Sequence, residues 1–203
     1  MFTGLVEGLA EVLELRRERR GARLVLARPT LGRGMPPWKP RAGESLALSG
    51  CCLSVAGIGR GGTTTFDLSR ETLERTWFAS VTSGRRLNVE RALRLADRLG
   101  GHLVAGHVDQ VGAIVAIEES RDGGRLFTFE VPGSFERWVM EKGSVAVDGI
   151  SLTIVAPRRR RFRVAVIPET LKRTTLGRAA VGDAVHLEGD WIGKWVARLA
   201  AKR

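Results

Sequence analysis

The chain states one pattern twice, and that duplication limits its fold more than any other feature. Glu44-Ser-Leu-Ala-Leu-Ser-Gly-Cys-Cys-Leu-Ser-Val55 returns as Gly143-Ser-Val-Ala-Val-Asp-Gly-Ile-Ser-Leu-Thr-Ile154. Glu71-Thr-Leu-Glu-Arg-Thr76 returns as Glu169-Thr-Leu-Lys-Arg-Thr174, and Leu87-Asn-Val-Glu90 as Val185-His-Leu-Glu188. The opening Gly4-Leu-Val-Glu-Gly-Leu-Ala-Glu-Val12 matches Gly106-His-Val-Asp-Gln-Val-Gly-Ala-Ile114. Four anchors in one order mean two copies of one domain. A length of 203 residues suits one large domain or two small ones, and the repeat decides for two. The copies differ at polar positions in equivalent places, so a site with two similar but unequal halves is expected.

Apolar and polar residues alternate along 45–53, 63–68, 125–131, 145–155 and 161–167, the period of strands. Gly57-Ile-Gly-Arg-Gly-Gly62 and Asp122-Gly-Gly124 read as turns between them. Many short strands with glycine turns predict small barrels, which leave no open sheet edge. Helix is expected only over 134–142, in single turns at 71–76 and 169–174, in an irregular or helical crossover over 89–99, and in the tail. The tail from Asp190 places Trp191, Ile192, Trp195, Val196 and Leu199 on one helical stripe, with Asp190 as N-cap and Lys202 and Arg203 at the C-terminal end. That stripe must be covered by its own barrels or by other copies of the chain; two tryptophans favour the latter.

Hydrophobic residues at 43% and charged residues at 27% are ordinary for a globular protein, and no apolar run is long enough to predict a membrane span. No secretory signal is expected from the first residues. Adjacent Cys51 and Cys52 cannot readily pair with each other, and no Cys/His spacing suggests a metal, so a reducing, cytoplasmic setting is expected. The net charge of +11 raises nucleic acid as a partner. The arginines are scattered, however, and the densest run, Arg158 to Arg161, reads as a solvated hairpin turn.

Ser151 and Thr153 share one face of an extended strand and could both donate to a flat ligand. His107 stands where the first copy has Leu5, and imidazole both gives and takes protons near neutrality. His102 and His186 read as structural. Cys52 is a candidate nucleophile without a sequence neighbour to activate it. Asp190 is a helix cap, a site carboxylate, or both.

These residues carry a resemblance. Met1-Phe-Thr-Gly4, Gly50-Cys-Cys-Leu53, Gly100-Gly-His-Leu103 with Gly106-His107, Val147-Asp-Gly-Ile-Ser-Leu-Thr153 and Ile167-Pro-Glu-Thr-Leu171 resemble the riboflavin synthase family, the alpha-chain type with two lumazine-binding domains, over essentially the whole chain. The resemblance implies an all-β fold of two tandem six-stranded antiparallel Greek-key β-barrels plus a C-terminal α-helix. The expected divisions are residues 1–98, 99–189 and 190–203. It implies a homotrimer held by the terminal helices, and raises lumazine synthase as a further partner without deciding it. It also implies a transferase that dismutates two molecules of 6,7-dimethyl-8-ribityllumazine. Riboflavin and 5-amino-6-(D-ribitylamino)uracil result, in the final step of riboflavin biosynthesis, with no added cofactor. One lumazine would sit on the N-barrel of one subunit and the other on the C-barrel of a neighbour.

Carried over by position, Cys52, His107, Ser151 and Thr153 match catalytic or site-lining residues. Asp190 joins that set and, with Ser45 and Asp148, matches supporting polar positions. The N-barrel pocket would take Gly4, Leu5 and Val6, then Cys51, Cys52 and Leu53, then Asp67, Leu68, Ser69, Arg70, Glu71 and Thr72. The C-barrel pocket would take Gly106, His107 and Val108, then Lys142, then Ser151, Leu152 and Thr153, then Ile167, Pro168, Glu169 and Thr170. The chain departs from the family at Ala105, where serine is common, at Trp77-Phe78, where Asn-Leu is usual, and at Trp195. A non-catalytic lumazine- or flavin-binding relative is the rival reading, and joint retention of Cys52, His107, Ser151, Thr153 and Asp190 speaks against it.

Overall fold

A computed structural model describes residues 1–200; Lys202 and Arg203, expected at the end of the tail helix, lie outside the described residues. The first barrel contains β1 (Gly8–Glu18), β2 (Gly21–Leu26), the short β3 (Thr30–Leu31), β4 (Ser45–Leu48), β5 (Cys51–Ile58), β6 (Thr64–Ser69) and β7 (Arg86–Arg91), with helix α1 (Arg70–Arg75). The second contains β8 (Gln110–Glu119), β9 (Arg125–Glu130), β10 (Ser144–Val147), β11 (Ile150–Thr153), β12 (Val155–Arg158), β13 (Arg161–Val166) and β14 (Ala184–Gly189), with helix α2 (Pro168–Arg173). Helix α3 (Trp191–Ala200) follows.

In the first barrel β2, β6, β5, β4, β7 and β1 pair in that order, and β1 returns to β2, closing a ring of six. Three hairpin-linked strands, β4 to β6, with β7 returning beside β4, form a Greek key. One long strand, β1, serves three partners, with the short β3 paired to Gly8 and Leu9. Gly8 to Glu11 of β1 pair with β7, a bulge intervenes between Val12 and Glu14, and the rest pairs with β2. The second barrel repeats the order as β10, β14, β8, β9 and β13, with β11 on β10 and β12 on β13. β11 and β12 are one segment interrupted at Ile154, so the ring is completed by the chain itself. Each barrel has its own core, around Phe66, Phe78 and Leu24 in the first and Phe127, Phe129 and Phe162 in the second.

The stretches expected as single strands over 45–53 and 145–155 are hairpins. Ser49-Gly50 and Asp148-Gly149 have φ of 41°, 80°, 45° and 75°, the two left-handed residues of a type I′ turn. The nine-residue helix expected over 134–142 is only a 3₁₀ turn at Glu136–Trp138. There Phe135, Trp138 and Val139 each donate to the carbonyl three residues back. The chain must then straighten, because the Lys142 N–H donates to Ile154 O to enter the sheet. The single turns expected near 71 and 169 are six-residue helices, and Ser69 Oγ caps α1 by accepting from Thr72 N. The crossover after Arg91 is irregular, and the expected turn at Arg159-Arg160 is present.

A pseudo-two-fold relates the barrels. The two hairpin turns abut so closely that a Cβ on Gly50 would lie 2.5 Å from Gly149 N, and one on Gly149 2.6 Å from Gly50 N. Asn88 on β7 and His186 on β14 clasp the opposite barrel. Asn88 donates to Asp148 O and accepts from Thr175 N. His186 Nε2 accepts from Trp77 N, which leaves Nδ1 as the donor to Ser49 O at 2.7 Å. The Trp77 that departs from the family stacks on His186 and donates through Nε1 to Asp148.

Burial lifts the Asp148 carboxyl to about 7 and lowers His186 to about 3. A carboxyl whose folded pKa lies above its unfolded value retains its proton longer in the folded state. Its contribution to stability is therefore lost as pH rises from about 4 to about 7. His186 is common to the native chain and an Asp148→Asn variant, so their difference isolates the acid. The variant's melting temperature should gain on the native one as pH rises across that window and hold its lead above it. A gap that is flat with pH would show that Asp148 does not titrate in this way.

Candidate active site

Two outer-face patches occupy equivalent positions on the barrels. On β5, Cys51 and Leu53 point into the first core, while Cys52 and Ser54 face outward. On β11, Ile150 and Leu152 point inward, while Ser151 and Thr153 face outward. Ser151 and Thr153 thus share a face, as their spacing predicts. Leu152, Leu53 and Cys51 can offer a ligand only backbone groups, and burial pushes the Cys51 thiol up to about 12, which keeps it inert.

Each patch is completed by a lead segment from the other repeat. Ser151 N donates to Gly4 O at 2.8 Å, and Cys52 N donates to Gly106 O at 2.7 Å. A Cβ on Gly4 would lie 2.6 Å from Ser151 Cβ, and one on Gly106 2.6 Å from Cys52 Cβ, so only glycine permits these approaches. Val6 packs on the second core and Val108 on the first. This corrects the expected grouping: Gly4, Leu5 and Val6 belong with Ser151 and Thr153, and Gly106, His107 and Val108 belong with Cys52.

Buried carboxylates hold the leads in place. Glu90 accepts from Thr3 N and Gly4 N, and Glu188 accepts from Ala105 N and Gly106 N. Burial raises both acids, Glu90 to about 7. Phe2 and Val104 bridge the two leads over a small shared core with Ala47 and Ala146.

The other predicted positions divide. Asp67 and Ser69 lie on the outer face of β6 beside β5, with Leu68 turned inward and Asp67 paired to Arg23. Arg70, Glu71 and Thr72 form the first turn of α1. Ile167, Pro168, Glu169 and Thr170 take the matching place at the start of α2, where Ile167 is exposed and Glu169 pairs with Arg173. Lys142 is exposed where the chain enters β10. Ser45 is half-buried at the far end of β4 opposite Ser54. Asp148 does not face the patch: it is buried between the barrels and satisfied by His186 N and Trp77. Its backbone twist, not its carboxylate, reaches the site. Asp190 caps α3 by accepting from Ile192 N, and its charge also acts on His102.

His102 is the site residue that sequence reasoning missed. Its Nδ1 lies 2.7 Å from Ser151 Oγ. The signal was Gly100-Gly101. A Cβ on Gly101 would lie 2.1 Å from Thr3 O and 2.9 Å from Ser151 Cβ, so the glycine allows the crossover to press onto the patch. His107 is exposed and its ring lies 6.3 Å from that of Trp191.

Both patches are open faces. A cleft of about 620 Å³ lies between β1, β3 and α2, with Glu169 on its wall. Helix α3 stands beside the patches, with Trp191 Nε1 donating to Glu188 and Lys194 paired to Asp109. Its Ile192, Trp195, Val196 and Leu199 are about 60% exposed, so the stripe is not covered by its own barrels. Among the described residues no metal-ligating cluster occurs, and no helix is long and apolar enough to cross a membrane.

The sequence matches the lumazine binding domain model twice, over residues 3–92 and 105–190. It is 44% identical over 202 residues to the riboflavin synthase of Mycobacterium tuberculosis (strain ATCC 25618 / H37Rv), covering 98% of both chains. It is 37% identical to that of Brucella abortus (strain 2308), again covering 98% of both. Among solved structures, LumP complexed with riboflavin superposes with a TM-score of 0.81 at 21% identity, over 93% of this chain and 99% of that one. LumP complexed with 6,7-dimethyl-8-(1'-D-ribityl) lumazine gives 0.80 at 19%, with the same coverage. These two likenesses establish the shared fold.

Proposed function

The chain belongs to the riboflavin synthase family of duplicated lumazine-binding domains, and from that premise we propose that it dismutates two molecules of 6,7-dimethyl-8-ribityllumazine. A four-carbon unit passes from one molecule to the other, leaving riboflavin and 5-amino-6-(D-ribitylamino)uracil. The observation that carries this reading is the pair of matched but unequal outer patches, one built on Cys52 and His107, the other on Ser151 and Thr153. Two identical reactants need two similar cradles, and their donor and acceptor roles need different polar groups.

Within one chain the patches lie on different barrels and both face outward. A reacting pair therefore forms when the first-barrel patch of one copy meets the second-barrel patch of another. Holding two rings face to face removes the entropic cost of their encounter, worth roughly 7–11 kcal/mol when aligned. Ser151, Thr153 and His107 then handle protons at the acidic methyl group of the lumazine. Helix α3 supplies the contact between copies in a homotrimer, since its apolar stripe is large and uncovered. A reducing cytoplasm suits the two free cysteines.

The lumazine incubated with the protein alone should yield one riboflavin for every two lumazines consumed, read by absorbance. Bound but unchanged lumazine would reduce the protein to a carrier. Replacing Trp195 and Val196 together by glutamate should bring the sedimenting species down to a single chain and abolish turnover, while leaving both barrels folded. Persistence of the assembly would place the contact between copies elsewhere.

A further inference from the structure

The two patches differ in one respect that the repeat does not explain. Ser151 has a histidine partner, whereas among the described residues the Cys52 thiol has none. His102 is 92% buried, being 8% exposed, and reaches Ser151 Oγ from a glycine-led crossover that passes over Thr3 and Leu5. Its other ring nitrogen, Nε2, is buried without a partner. Buried nitrogens are rarely left so, and holding one in this way needs a reason. The geometry points to His102 as a positioning residue for the reaction. Its Nδ1 accepts the Ser151 hydroxyl proton in a hydrogen bond, which turns the Oγ lone pairs toward the ligand on the outer face of β11. The second-barrel patch thereby offers the bound ring a hydrogen-bond acceptor at Oγ rather than a donor.

The tautomer this requires carries its hydrogen on Nε2. The Asp190 charge raises the proton affinity of the same ring. Burial works more strongly the other way, pushing His102 below the usual imidazole range, so the ring is neutral and Nδ1 keeps a lone pair for the hydroxyl. A serine with free rotation would spend its hydrogen on the ligand or on water. Fixed by His102, it presents a lone pair to the ligand instead. This deepens the lumazine-dismutating reading and rests on it.

The test uses the full chain and the lumazine substrate. His102→Leu fills the ring's space but cannot accept a hydrogen bond; His102→Asn restores an acceptor near Nδ1. His102→Leu should lower kcat at least tenfold with KM changed less than threefold, and His102→Asn should recover a substantial part of the loss. Because His102 acts through Ser151, the His102→Leu/Ser151→Ala double variant should be no slower than Ser151→Ala alone. Losses that multiply in the double variant, a loss confined to KM, or native turnover in His102→Leu would each overturn the inference. If His102→Leu fails to fold, the same comparison is made with His102→Asn, whose loss must likewise vanish on the Ser151→Ala background. Native protein that makes no riboflavin would sink the functional reading instead.

Discussion

Gly50→Ala is expected to destabilise the chain by about 3 kcal/mol or more, a fall of roughly 6–12 °C in melting temperature at this size. Gly50 has φ +80°, which alone costs an alanine on the order of 1 kcal/mol. The larger cost is steric. The new methyl would lie 2.5 Å from Gly149 N and 2.9 Å from Gly149 Cα, and those are backbone atoms of the opposite turn. The turn cannot rotate away as a side chain would, so the barrels must separate. Separation strains the Asn88 and His186 clasps and uncovers Phe2 and Trp77, all of which are buried. Gly34 provides the control: it has φ +82°, but a methyl there would meet nothing within 4 Å. Gly34→Ala should therefore show the backbone cost alone. Equal losses for the two variants in chemical denaturation would mean that the turns do not touch as described.

Ser151→Ala is expected to reduce turnover by about 10²–10⁴-fold, the usual range for losing a group that takes part in proton transfer. The effect on stability should be small, about 1–2 kcal/mol. The residue is half-buried on an outer face, and the main loss is the hydrogen-bond partner of His102 Nδ1. Binding of the lumazine should weaken far less than turnover, because the Gly4 lead and the start of α2 remain. A loss wholly in binding would make Ser151 a contact residue only. Unaltered turnover would remove the second-barrel patch from the chemistry.

Much of this architecture is legible in the sequence, because duplication is visible wherever the same core must be built twice. The hairpins are the instructive failure. The alternation along 45–55 looks continuous, yet its apolar phase shifts from Leu46 and Leu48 to Leu53 and Val55. The second copy shifts in the same way, from Val145 and Val147 to Leu152 and Ile154. A continuous strand holds its phase; a two-residue turn resets it, and Asp148-Gly149 is among the strongest signals for such a turn. The exchanged leads could not be read in this way. Sequence equivalence says that Gly4 repeats as Gly106, but not that each crosses to the other barrel, which depends on packing between Phe2, Val104 and the two turns. His102 was hidden for a related reason. Its partner Ser151 is 49 residues away, and only the glycines before it hint that the backbone comes close.

Two unequal cradles for the same ring are what the dismutation requires of this chain. Calorimetric titration of the assembled protein with a non-reacting lumazine analogue tests this most directly. Two analogues bound per chain, with distinguishable affinities, is the predicted result. A single analogue per chain, or two indistinguishable sites, would contradict it.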